Sequence, residues 1–415
     1  MDGNFSNERD GAEIAAGASL GDVVAITDIR EFAACRAAFD RVHGADPNAG
    51  FFLGRDWITA ITRENPDDMC VLAWSPRDVS DGFQAFLPLA RQLHWSRSRQ
   101  RFVTHLTGLG RLGLSDSAGM LCAPEHQTIA MRAFARYLKN APWARLSLRH
   151  VPDLRRLQIL SNDFGGPAYR VDWPEYRSNG GRTNQLAHLS MTVATDFDSY
   201  LAGLGRSTRK GLRRDLRASD AAGIEMRVIS QPEDRAIVQA EMMAQWAIKW
   251  GDHKSGRKLE ALKHRYEAFL DRANQLGTLL LMACFDGERQ ICATAHVLDA
   301  KSRRMISVIE GRDPLETRFS AGMVMHLEAM RFAIQNGYET YDFGQGDAEY
   351  KFQLGATEDI LGYLTIDRGP GTQIGCLDRA HVPAALKRID RLVASKRLSD
   401  ARNALKSLAR DAVLF

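Results

Sequence analysis

Long apolar runs are missing from these 415 residues. A membrane-crossing helix needs roughly 20 consecutive apolar residues. The run at 279–285, among the longest here, has only the length of a strand. Cysteine is sparse: there are six, at positions 35, 70, 122, 284, 292 and 376, and no two have CxxC spacing. They read as reduced, buried thiols of a cytoplasmic protein, not as a disulfide or zinc framework. The first 20 residues hold acids, glycine and alanine where a secretory signal would need a basic start and an apolar stretch, so they read as a disordered N-terminus. No HExxH, Ser-His-Asp order or Cys-His arrangement stands out, so no metal and no covalent nucleophile are expected. Excess charge is also absent from the body. The net charge is +4, yet residues 371–415 alone hold nine Lys/Arg against four Asp. Such a basic tail is either a solvated helix face or a contact for an anionic surface.

The chain does have enough length for two or three domains with cores of their own, and its 45% apolar and 26% charged residues are ordinary for a globular protein. Strand and helix signals alternate over 21–175. A Gly-, Asn- and Ser-rich break at 174–184 reads as a linker or a long loop, and the domain boundary is expected there. The second half then gives a strand at 187–193 and one long helix at 196–221. A strand at 226–229 and helices at 232–250 and 257–276 follow. Strands at 278–285, 291–298 and 305–309 precede a helix at 321–335 and a strand at 338–343. Asp286-Gly287 marks a hairpin turn. Residues 371–415 read as a basic helical tail with an amphipathic pattern.

Four groups of residues carry candidate chemistry. Arg206, Lys210, Arg213 and Arg217 recur at intervals of four, three and four, which lines them along one helix face opposite Leu204, Thr208, Leu212 and Leu216. With Arg209 and Arg214 they form either a phosphate-holding patch or a solvated face. Arg318, Ser320, Ala321, Gly322 and Met323 open a helix whose backbone N–H groups suit an anion. The alternative there is a plain cap with Ser320 as the capping residue. Asp342 and Asp347, around a glycine loop, are candidate general bases, with Glu310 as a rival. Lys351 is a candidate oxyanion stabiliser. Trp246, Trp250, His253 and Lys254 could line an acceptor cleft, although tryptophans at helical spacing usually belong to a core. His296 lies in an apolar strand and reads as a core histidine. The stretch Gly108-Leu109-Gly110-Arg111-Leu112-Gly113 mimics GxGxxG without clearly joining a strand to a helix, so dinucleotide binding is rejected.

The string Tyr341-Asp342-Phe343-Gly344-Gln345-Gly346-Asp347-Ala348-Glu349-Tyr350-Lys351-Phe352 resembles the end of the acyltransferase core in the CelD/BcsL family. That family lies in the GNAT superfamily and is related to the Fem-type aminoacyl transferases. Ser207-Thr208-Arg209-Lys210-Gly211-Leu212-Arg213-Arg214 resembles the basic segment that opens the family's acyltransferase domain. Phe51-Phe52-Leu53-Gly54-Arg55-Asp56-Trp57 and Phe86-Leu87-Pro88-Leu89 look like its early segments. The resemblance implies an α/β fold of tandem GNAT-like domains, with mixed, mainly antiparallel sheets flanked by helices. It implies an N-terminal GNAT-like domain at 21–175 and a catalytic one at 186–370. The implied activity is transfer of an acyl group from acyl-CoA, as co-substrate, to an amine or hydroxyl. The acceptor would be a small sugar-derived or lipid-linked molecule, not DNA, in cellulose or exopolysaccharide synthesis. The basic tail would be a candidate contact with a membrane surface or a synthase complex. Catalytic Lys351, Asp347, Asp342 and Glu310 would act beside a donor held at 318–323. Arg206, Arg209, Lys210, Arg213, Trp250 and Tyr350 would hold substrate. The family's usual Gln/Arg-x-x-Gly-x-Gly/Ala donor loop is reduced here to Ser320-Ala321-Gly322. That departure leaves two alternatives: an aminoacyl-tRNA donor, or a degenerate binding module.

Overall fold

The computed structural model describes residues 20–77, 82–110, 114, 115, 119–251, 256–369 and 375–411. The first 19 residues, His253, Lys254 and the last three residues of the GxGxxG-like stretch lie outside them. Two large sheets organise the chain, each flanked by helices on both faces. The second is mainly antiparallel. Its strands run in the order Glu225–Val228, Leu279–Asp286, Arg289–Asp299, Arg304–Arg312, Thr340–Gln345, Ala187–Thr192, Thr357–Ile360. The first follows Asp22–Ile26, Met69–Ser75, Ala85–Ser96, Arg101–Gly108, Arg145–Val151, Gly362–Arg368, Tyr169–Asp172.

The second half returns one strand to the first sheet. Ala187–Thr192, the first strand of the second half, pairs antiparallel with Thr340–Gln345 of the second sheet. Gly362–Arg368, inside the range expected for the second domain, returns to the first sheet between Arg145–Val151 and Tyr169–Asp172. The residues around 174–184 that read as a linker are therefore a crossover. They fold into a small hairpin, Arg177–Ser178 with Thr183–Asn184.

The second sheet buries both faces, as expected for continuous apolar strands rather than alternating ones. Leu280, Met282, Met305 and Tyr341 meet the helices Arg206–Ala221 and Ala321–Gln335 on one side. Leu281, Ala283, Ala295 and Ile306 meet Pro232–Gly251 and Gly256–Gln275 on the other. Trp57 of the first half joins that second layer, its ring 4.9 Å from Phe269. Gly311 allows a close crossing: a Cβ there would lie 2.0 Å from the Met242 carbonyl oxygen.

The single helix expected at 196–221 is two, Phe197–Gly203 and Arg206–Ala221, broken where Leu204 and Gly205 take extended backbone. The tail forms the helices Val382–Ala394 and Leu398–Asp411. Its Ala385, Ile389, Ala401 and Ala404 pack with Phe102 of the first sheet. Among the described residues, no helix is long and apolar enough to cross a membrane.

Candidate active site

The second sheet opens into a wedge. Arg304–Arg312 and Thr340–Gln345 run parallel but pair only from Arg304, Met305 and Ile306 to Thr340, Tyr341 and Asp342. Beyond that, the first strand stays with Arg289–Asp299 and the second with Ala187–Thr192. The helix Ala321–Gln335 links the two strands, so its N-terminal turn faces the mouth of the wedge.

A β-bulge aims the acid in this wedge. Ala295 pairs with Ile309 but His296 with Ser307, which leaves Val308 as the extra residue. Ile306 and Ile309 both join the core layer on the Pro232–Gly251 side, so the bulge reverses the strand's alternation. Glu310 thereby turns to the opposite face, toward Ala321–Gln335. Without the bulge it would share the face of Ile306. Its carboxylate oxygens sit 2.8 Å from where a Cβ on Gly322 would be, so only glycine allows this approach. Oε2 of Glu310 is 3.8 Å from Nε2 of His326, and about a fifth of the Glu310 side chain stays exposed.

Behind the acid is a buried polar chain. The Tyr341 hydroxyl lies 2.9 Å from Nδ1 of His326 and 3.1 Å from Nε2 of His296. Tyr350 stacks on the His326 ring, with centroids 5.4 Å apart. Burial, with a lesser push from His326, drives the His296 pKa down to about 3. Burial also lowers that of His326; Lys351 and Lys249 act in the same direction and Glu310 opposes them. Both rings are therefore neutral near pH 7.

The His296 shift makes stability pH-dependent. An unfolded histidine titrates near about 6.5. As pH falls, the unfolded chain takes up this proton first, so stability is lost between about 6.5 and the folded value of about 3. Between about pH 7 and pH 5 this group alone should cost about 2 kcal/mol. Urea unfolding of His296→Gln should show a correspondingly shallower loss over that interval. Equal slopes in variant and wild type would contradict the burial argument.

A cavity of about 370 Å³ adjoins the same helix turn, lined by Gln245, Lys249, Arg312, Phe319, Ser320 and Ala321 among others. Ser320 makes no side-chain cap bond, so it leaves the first-turn N–H groups open to another acceptor. Two acids, Asp313 and Glu316, also line it and are engaged by Arg289 and Arg318, which leaves Lys249, Arg312 and a helix N-terminus to suit a diphosphate. Lys249 and Arg312 were not legible as partners, because 63 positions separate them. A larger cavity of about 740 Å³ lies on the first sheet, between Arg91, His94, His105 and the tail residues Lys387 and Arg388.

The other expected site residues are placed as follows. Ser320 and Ala321 line the cavity. Gly322 backs Glu310, and Met323 packs against the core. Arg318 differs from expectation: Glu316 and Asp286 engage its guanidinium at 2.6 and 2.7 Å, which leaves it tied down at the surface. Asp342 also differs. It is buried and accepts from His188, Arg304 and the Gly344 amide at 2.8–3.0 Å. Burial alone would raise its pKa, but His188, Arg304 and that amide hold it well below the usual carboxylate range. A carboxylate so engaged is a poor proton acceptor near neutrality.

Asp347 accepts from the Asn184 amide at 2.9 Å, which ties the crossover to the glycine loop. Gly344 and Gly346 of that loop have φ of 68° and 89°, which only glycine adopts without strain. The Tyr-Lys-Phe that follows lies on a short helix, Glu349–Gln353. There Lys351 is buried and donates to the Gly344 and Gln345 carbonyls at 3.2 and 2.6 Å. Trp246 is core, and Trp250 packs beside it. Arg206, Lys210, Arg213 and Arg217 are exposed, and Arg209 donates to the Ala202 carbonyl. His326, the partner of Glu310, gave no sequence signal because it sits singly in an apolar helix.

Residues 206–352 match an acetyltransferase (GNAT) domain, which covers the wedge, the arginine helix and Lys351. The crystal structure of FemX is similar at TM-score 0.56 and 12% identity, over 83% of this chain and 96% of that one. A tandem GNAT protein from the clavulanic acid biosynthesis pathway is similar at TM-score 0.46 and 9% identity, over 84% and 99%. The C-terminal domain of a putative lysylphosphatidylglycerol synthetase from Agrobacterium fabrum is similar at 0.46 and 11%, over 88% and 97%. Of these three, only FemX reaches a score at which a fold is shared. No curated protein matches the chain. Residues 206–352 thus match a GNAT domain, within an α/β fold of mainly antiparallel sheets that the chain shares with FemX.

Proposed function

We propose that the second half transfers an acyl group from acyl-CoA to an amine or hydroxyl acceptor. One observation carries the reading: Glu310 and the Lys249–Arg312 cavity meet on the first turn of one helix, at the mouth of a splayed parallel strand pair. The donor's diphosphate would lie against Lys249, Arg312 and the free N–H groups. Its thioester would reach into the wedge. Glu310 would take the proton from the acceptor as its nitrogen or oxygen bonds to the acyl carbon; the carbon–sulfur bond breaks, and the coenzyme leaves as its thiolate, which takes a proton from water. Lys351 would hold the glycine loop by its two carbonyl bonds, and Asp342 would brace His188 and Arg304. Asp347 would keep the crossover on the loop.

The resemblance to CelD/BcsL-type proteins supports a sugar-derived or lipid-linked acceptor in polysaccharide synthesis, and a cytoplasmic enzyme. The tail's exposed Leu386, Val393, Leu398 and Leu405, among its cations, fit a peripheral contact. The test is thiol release from acetyl- and longer acyl-CoAs with a panel of amino sugars and alcohols. Acceptor-dependent release supports the reading. Its absence with every donor, in folded protein, contradicts it. The exposed face of Arg206, Lys210, Arg213 and Arg217 favours one second reading, a Fem-like transferase using charged tRNA. That reading requires RNA binding that weakens steeply with salt.

A further inference from the structure

The Tyr341 hydroxyl has one hydrogen and stands between two buried imidazoles. We propose that His326 is a positioning residue for Glu310, its tautomer locked by Tyr341 and His296 so that Nε2–H faces the carboxylate. This rests on Glu310 being the base of the reaction proposed above.

The hydrogens can be followed along the chain. An ionised carboxylate only accepts, so the nitrogen facing Glu310 carries the proton. Nδ1 of His326 is then a lone pair, and Tyr341 donates to it. The Tyr341 oxygen in turn accepts from Nε2–H of His296 and from the Ser307 hydroxyl. Nδ1 of His296, buried and without a hydrogen-bond partner among the described residues, is left as a lone pair. The reverse order would set a His326 lone pair against the carboxylate and strand a buried N–H on His296. An orphaned buried donor is the costlier arrangement, so the direction is fixed.

Every element packed around His326 agrees. Glu310 faces it from Arg304–Arg312, and Tyr341 and Phe343 from the neighbouring strand. Tyr350 and Lys351 approach from Glu349–Gln353, and Lys249 from Pro232–Gly251. His296 stands behind Tyr341. Two lysines and full burial oppose a second proton, so the chain orients Glu310 and does not store charge.

The test is long-range nitrogen-15 NMR of histidine-labelled protein near neutral pH, with the His326 signal assigned through His326→Gln. His326 and His296 should both appear as Nε2–H tautomers. Tyr341→Phe, which keeps the ring, removes the hydrogen bond to Nδ1, so the His326 Nδ1 signal should move toward that of an unbonded lone pair while Nε2–H stays. A wild-type His326 that is Nδ1–H or doubly protonated overturns the proposal, as does an unchanged Nδ1 signal in Tyr341→Phe. These spectra need no turnover, so they can fail separately from the acyl-transfer reading. Where turnover is measured, Tyr341→Phe should lower kcat by about tenfold, one hydrogen bond's worth. KM for the donor should hold, and the acid limb of the pH profile should move up. A merely structural tyrosine would leave that limb in place.

Discussion

Replacing Glu310 with glutamine is expected to lower acyl-CoA turnover by ~10²–10⁴-fold, the range for loss of a positioned general base. The amide has the shape of the carboxylate but cannot collect the acceptor's proton. Little else should change. Among the described residues the side chain's ion-pair contact is its 3.8 Å approach to His326, and the cavity cations Lys249 and Arg312 remain. Donor affinity and melting temperature should stay near wild type, which separates loss of chemistry from loss of fold. Steady-state thiol release checks this. A variant within threefold of wild type would remove Glu310 from the mechanism.

The second large effect concerns stability. Arg156 and Asp46 form a fully buried pair in the first half, with guanidinium–carboxylate distances of 2.6 and 3.1 Å. Arg156 also donates to the Met120 and Cys122 carbonyls, and Asp46 accepts from the Cys122 amide. Asp46→Ala would leave a buried cation short of its main partner, at a cost of ~3–5 kcal/mol. Urea unfolding with an unchanged m-value should show it. A loss below about 1 kcal/mol would mean that Asp153, 3.0 Å from Arg156, and the backbone carbonyls satisfy it without Asp46. Donor binding in the surviving folded protein should be unaffected, since the pair belongs to the first half and the cavity cations to the second.

Much of the second half was legible because its elements are long and periodic. The strands near 279–286 and 289–299, their Asp286-Gly287 turn and the helix 321–335 all stand in the structure close to where the pattern places them. Three features were not. Gly362–Arg368 follows the second half in sequence but pairs with the first sheet, and periodicity says nothing about which sheet a strand joins. The bulge at Val308 depends on pairing with Arg289–Asp299, so the face of Glu310 could not be read from alternation. Nor could the grouping of Lys249, Arg312, Glu310 and His326, since a crossing of strand and helix brings them together. Asp342 misled for a related reason. An acid at a strand end looks like a base until His188 arrives from the neighbouring strand Ala187–Thr192. The arginine helix was legible as a face, with Leu212 and Leu216 buried and its cations exposed.

The central claim is that the cavity beside Glu310 holds the donor's phosphates, and calorimetric titration with coenzyme A and acetyl-CoA tests it most directly. Wild-type protein should bind both, with affinity that falls as salt rises. Arg312→Glu should abolish binding while melting as wild type does. Equal affinity in wild type and Arg312→Glu, or no binding by a wild-type protein that melts cooperatively, would contradict the account.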